Sequence, residues 1–180
     1  MPLAASSTEL WDVVAAEAAS ESPLWREALS LPAERETEPV FSPLAEERYA
    51  LGLESIYEGY LLHYGRPRLF APADRDTALL LGDYLYAHGL VRVAVFDVVE
   101  AVADLAALIS LCGQLKAEER DGDGAAWAAT ASLLGAGGLE EARAALREDG
   151  DPEQLVRLAC DAAGADPVER ALAAHRRRVG

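Results

Sequence analysis

Lysine is almost missing from this chain: of its 16 basic residues only Lys116 is a lysine. Acidic residues number 31, which sets the formal net charge at −15. A chain this acidic repels nucleic-acid phosphate and anionic lipid, so neither is a default partner. Cysteine is scarce as well. Cys112 and Cys160 stand without a ligand-spacing motif, which argues against a zinc site and a disulfide framework. Long hydrophobic runs are absent. The most apolar stretch, Val98–Cys112, is interrupted by Glu100 and Asp104 and does not read as a membrane span. The N-terminus lacks a charged-then-apolar export segment, so a cytoplasmic protein is expected. β-branched runs are few, and no alternation of period two is sustained, which argues against a strand-built fold. There is no Gly-rich phosphate loop, nucleophile elbow, Cys/His pair or Glu-x-x-His, and neither a metal nor a cofactor is expected.

What is present favours helix: alanine, leucine, arginine and glutamate all rank high in helix propensity. The 180 residues suffice for one domain with a real core. The expected fold class is all-α, a bundle of about seven to eight helices. Ser6 with Glu9 reads as a capping box, and Pro23 behind Ser22 as the start of a second short helix. Residues 1–40 are expected to form N-terminal helices and a linker, loosely attached to a bundle domain at 41–180. Ser42-Pro43 reads as the start of a helix reaching Tyr64. A helix at Thr77–His88 follows, with Gly89 ending or kinking it. Asp97, with Glu100 three residues on, reads as the cap of a helix reaching Arg120. That helix is apolar on nearly every side between Val98 and Cys112, so it is expected at the centre of the fold or in a subunit interface. Asp121-Gly122-Asp123-Gly124 lacks the remaining ligands of a calcium loop and reads as a plain turn. Asp151-Pro152 and Asp166-Pro167 open two final short helices. The closing His175-Arg176-Arg177-Arg178 reads as cations at a helix C-terminus.

Within roughly Tyr49–Glu119 an ordered series of features resembles the trans-isoprenyl (polyprenyl) diphosphate synthase family. Leu51-Gly52-Leu53-Glu54-Ser55-Ile56-Tyr57 looks like the helix leading into that family's first aspartate motif. Leu61-Leu62-His63 looks like the segment just before it, and Tyr64-Gly65-Arg66-Pro67-Arg68 like the stretch just after it, with the metal-binding turn deleted. Gly82-Asp83-Tyr84-Leu85 and Gly113-Gln114 then follow in family order. The resemblance implies an architecture like the N-terminal part of that fold. The chemistry is another matter. The family neutralises a diphosphate leaving group with magnesium held by Asp-Asp-x-x-Asp runs, and this chain has no such run and no Gly-Gly-Lys-x-x-Arg. Losing one electrostatic stabiliser costs several kcal/mol, and here the whole set is gone. Prenyl transfer is therefore not expected of this chain.

The expected function is that of a non-catalytic isoprenyl-synthase-like protein, a regulatory or structural small subunit acting through helix association. Its partner would be a second copy or a larger helical subunit. The resemblance places the contact on Leu85, Val98, Val102, Leu105, Leu108 and Ile109. The alternative is a binding protein for a small apolar, isoprenoid-like ligand in the bundle cavity, with His63, Arg66, Arg68, Asp83 and Gln114 as candidate binding residues. A further alternative is an enzyme of unrelated class using His63 and Asp83. Glu54 and Glu58, one turn apart, read as a solvated or salt-bridged face. Arg66 and Arg68 flank Pro67 on a loop and read as exposed loop arginines, the alternative being that they hold a phosphate or a partner's carboxylate.

Overall fold

The computed structural model describes residues 7–179, so the expected Ser6 cap lies outside the described residues. Nine α-helices and no multi-residue strand occur among them, which makes the fold an all-α bundle. The helices are α1 (Ser7–Glu21), α2 (Pro23–Glu27), α3 (Ala50–Tyr64), α4 (Arg75–Ala94), α5 (Val99–Ala117), α6 (Asp123–Ser132), α7 (Glu140–Asp149), α8 (Glu153–Ala163) and α9 (Ala165–Val179). Among the described residues no helix is long and apolar enough to cross a membrane.

Helix α3, and not α5, lies at the centre. Every residue from Gly52 to Leu62 is buried, including Glu54 and Glu58. Polarity disguises this in the sequence, because the charges of α3 are neutralised inside the protein. Helix α5 is more exposed than its composition implies. Val99, Ala103, Ala106 and Ser110 all face solvent.

Four glycines fix how α3 meets α4. Gly52 and Gly59 are two turns apart on α3, and Gly82 and Gly89 two turns apart on α4. A Cβ on Gly59 would sit 2.8 Å from the Gly82 carbonyl oxygen. A Cβ on Gly89 would sit 2.8 Å from the Gly52 carbonyl oxygen and 2.3 Å from Ile56. The two backbones therefore touch, and side chains longer than hydrogen have no place between them. Gly89 is thus an interior helical position; α4 continues past it to Ala94.

Several local starts differ from the sequence reading. From Ser42 the chain makes two 3-10 turns, Ser42–Leu44 and Glu47–Tyr49, before α3 begins. Asp97 does not cap α5. It takes φ 56°, and Val98 holds the cap position without a side-chain bond. By contrast Asp74 caps α4 as a capping aspartate should, accepting from the Thr77 N–H at 2.8 Å. The C-terminal pair α8 and α9 are full helices of 11 and 15 residues, not short ones.

Packing follows from these placements. Trp11, Val14 and Ala18 of α1 are buried against Leu62, Leu69, Leu81 and Leu85. On the other side of α3, Phe41, Tyr57, Tyr60 and Trp127 form an aromatic core continuous with Leu105, Leu108, Leu111 and Leu115 of α5. Asp104 and Arg143 form a buried pair at 3.0 Å that joins α5 to α7, and Asp104 also accepts from the Gly135 N–H.

Candidate functional site

The residues singled out in the sequence scatter. His63 and Asp83 do meet: Nε2 lies 3.1 Å from Oδ1, across the Gly59/Gly82 contact. The ring stacks on Tyr86 with centroids 5.1 Å apart. Burial lowers the His63 pKa below its ordinary value, against an upward pull from Asp83. Asp83 itself is exposed, and the imidazole is not aligned to donate to it. Gln114 is elsewhere; it is exposed and bonds Glu118 at 2.9 Å. Arg66 is exposed and donates to the Arg177 carbonyl. These residues do not line one site.

Arg68 requires correction. It is not free to take a ligand, because it is buried and fully used. Its Nη1 donates to Glu54 Oε2 at 2.7 Å and its Nε to Glu58 Oε2 at 2.9 Å. Its guanidinium lies over the Trp11 ring at 4.2 Å and the Tyr57 ring at 4.9 Å. Glu54 Oε1 accepts the Val40 and Ser42 N–H groups, and Glu58 Oε1 accepts those of Arg68 and Leu69. Burial disfavours the cation, but the two carboxylates outweigh it and raise the Arg68 pKa further. The Glu54–Glu58 face is thus salt-bridged and interior, not solvated. It ties α3 to the two loops that flank it.

The expected contact residues also divide. Leu85, Leu105 and Leu108 are covered by the chain's own helices, so they are core and not contact surface. Val98, Val102 and Ile109 are half-buried. The apolar groups that do face outward are neighbours of these. Val91, Val95 and Val99 are 64%, 68% and 75% exposed, and Ala87, Ala94, Phe96, Ala103 and Ala106 are exposed too. Ala87, Val91 and Ala94 share one face of α4; Val99, Ala103 and Ala106 share one face of α5. From Ala87 to Ser110 the only exposed charges are Asp97 and Glu100.

A second polar cluster lies on the opposite side of α3, and the sequence reading missed it. Tyr57 Oη is 3.0 Å from His175 Nδ1, and His175 Nε2 is 3.1 Å from Asp123 Oδ2. The Tyr60 hydroxyl donates to the same carboxylate oxygen, and Lys116 Nζ approaches it to 3.0 Å. Burial alone would raise the Asp123 pKa. The bonds from His175, Tyr60 and Lys116 overcome that and hold it well below the carboxylate range. Burial drives the Tyr57 and Tyr60 hydroxyls the other way, far above the usual phenol range. Both nitrogens of His175 are occupied, so the ring has no free lone pair for a substrate.

Lys116, Asp123 and His175 of this cluster line a pocket of about 500 Å³ between the end of α5, the start of α6, and α8 and α9. Val156, Leu172 and Val179 supply apolar wall, and Lys116 and Arg176 supply cations at its edge. Asp121-Gly122-Asp123-Gly124, read as a plain turn, places Asp123 on the first turn of α6 inside this wall. Likewise the C-terminal basic run is not simply a solvated end. His175 is in the cluster, and Arg178 is buried and donates to Glu36. The one usable signal was the solitary Lys116; nothing local marks Asp123 or His175.

Compared with known protein families, with curated proteins and with solved structures, the chain matches none.

Proposed function

We propose that this protein acts by association, as a non-catalytic helical protein whose outward faces of α4 and α5 pack against a second copy of the chain. One observation carries the reading: between Ala87 and Ser110 the exposed positions are almost all apolar and uncharged. Small side chains such as Ala87, Ala103 and Ala106 let helices of two molecules approach closely. The choice of occupant follows from charge. At −15 per chain, two copies repel over most of their surface. The α4–α5 face lacks that repulsion and is complementary to itself, as a two-fold contact requires. The isoprenyl-synthase resemblance is read in the same way, as one of architecture without chemistry. The segment where the family's metal ligands would follow is short here and closed by Arg68.

Ala103→Arg tests this without touching the core, because Ala103 is already exposed. Light scattering across the micromolar range is expected to give a dimer for the wild type and a monomer for the variant. A monomeric wild type, or a dimer that Ala103→Arg leaves intact, overturns the reading. Leu108→Arg is no test of the contact. Leu108 is fully buried, and the charge would unfold the monomer first.

A further inference from the structure

We infer that the α5–α6–α8–α9 pocket is a binding site for an apolar α-amino acid, held as a zwitterion with its side chain against α8 and α9. This is independent of association through α4 and α5.

The polar lining is balanced in charge, and it is open on both sides of the balance. All three donors to Asp123, from Tyr60, His175 and Lys116, fall on Oδ2. Oδ1 has no described partner and stays an acceptor, on a side chain only 8% exposed. Asp121 belongs to the same lining, is exposed, and pairs with no described cation. Two carboxylates are thus free to take a donor, and a charged donor suits them best.

Donors are open as well. The Lys116 ammonium carries three N–H groups and meets one carboxylate oxygen. The backbone supplies more. Gly122 caps α6 without a side-chain bond, and the first hydrogen bond of that helix runs from the Ala126 N–H to the Gly122 carbonyl. The N–H groups of Gly124 and Ala125 precede it and have no described acceptor, and both residues line the pocket. Orphan N–H groups at a helix start favour an anionic acceptor.

A ligand of one sign satisfies one set and opposes the other. A carboxylate alone meets Asp123 and Asp121. An amine alone meets Lys116 and leaves the α6 N–H groups bare. A zwitterion answers both, with its ammonium on Asp123 Oδ1 and Asp121 and its carboxylate on the α6 N–H groups and Lys116. The spacing agrees. Lys116 Nζ lies 3.0 Å from Asp123 Oδ2, so Oδ1 is at most one carboxylate's width further off. Two groups borne on one carbon can reach both. Val156, Leu172 and Val179 then face the apolar side chain, in a volume of about 500 Å³ that falls within the range of small-molecule sites.

Three ligands with one ring test the inference: L-phenylalanine, hydrocinnamate, which lacks the ammonium, and phenethylamine, which lacks the carboxylate. Each is titrated calorimetrically into the whole chain. L-phenylalanine is expected to bind at least about tenfold more tightly than either fragment, the scale of a charge-assisted hydrogen bond. Asp123→Asn should erase its advantage over hydrocinnamate. Asp121→Asn changes an exposed position, so folding is not at stake. It should weaken L-phenylalanine about threefold to tenfold and leave hydrocinnamate no weaker. Hydrocinnamate or phenethylamine binding as tightly as L-phenylalanine overturns the zwitterion assignment. So does L-phenylalanine binding that Asp121→Asn does not weaken. If none of the three binds at millimolar concentration, the site itself is refuted.

Discussion

Helix α3 carries two buried polar clusters on different faces, and they are built to different ends. On one face Glu54, Glu58 and Arg68 exclude water entirely. Each charge is met by an opposite charge, and backbone N–H groups take up the spare glutamate oxygens. On the other face Tyr57, Tyr60, Asp123, His175 and Lys116 form a network that opens on a pocket. The first is closed because every donor and acceptor is consumed inside it. The second is not consumed: its three donors all meet Asp123 Oδ2, and Lys116, Asp123 and His175 border open space. Burial of charge alone therefore does not mark a site.

The largest expected effect falls on the closed cluster. Arg68→Met leaves two carboxylates buried without a cation, and stability should drop by about 3–5 kcal/mol in denaturant unfolding. A loss below about 1 kcal/mol would mean that water reaches the triad, and the contrast between the clusters would collapse. Next comes the contact that holds α4 on α3. Gly89→Ala drives a methyl group into Ile56 and the Gly52 carbonyl, and a loss of about 1–3 kcal/mol is expected by the same measurement.

The open cluster should be more forgiving. Asp123→Asn keeps the shape and removes the charge on which three donors converge; a loss of about 1–3 kcal/mol near neutral pH is expected. The pH profile sharpens this. Folding holds the Asp123 pKa below its ordinary value, so the unfolded chain takes up the proton more readily. The contribution of Asp123 is complete above about pH 4 and is lost as pH falls toward its lower folded pKa. Asp123→Asn should flatten that part of the acid-unfolding curve; an unchanged curve would show that other carboxylates set it. The smallest effect is expected of Arg176→Gln. Its change in stability should stay within about 0.5 kcal/mol, because the residue is exposed and pairs with nothing described. A larger loss would show that Arg176 has a structural role.

Particular residues show how much was legible beforehand. The all-α class was readable, because helix propensity is local; that His63 lies beside Asp83 was not, because it depends on how α3 and α4 pack. The centre of the bundle was misread. The apolar composition of α5 marks it as the interior helix, whereas the glutamates of α3, read as a solvated or salt-bridged face, carry no sign of burial until Arg68 arrives from a loop to neutralise them. The contact surface was displaced for a related reason. An apolar helix has no sequence label for which of its faces turns inward, and Leu105 and Leu108 took the inner one.

By itself the sequence determined that this chain is helical, strongly acidic, and without the aspartate motifs that prenyl transfer requires. Those are properties of composition and short spacing. The tertiary structure alone decided which charges are neutralised, since Glu54 and Arg68, or Asp123 and His175, are partners only when distant segments meet around α3. It also decided where α4 touches α3, because glycines two turns apart mean nothing until a second helix brings its own glycines against them.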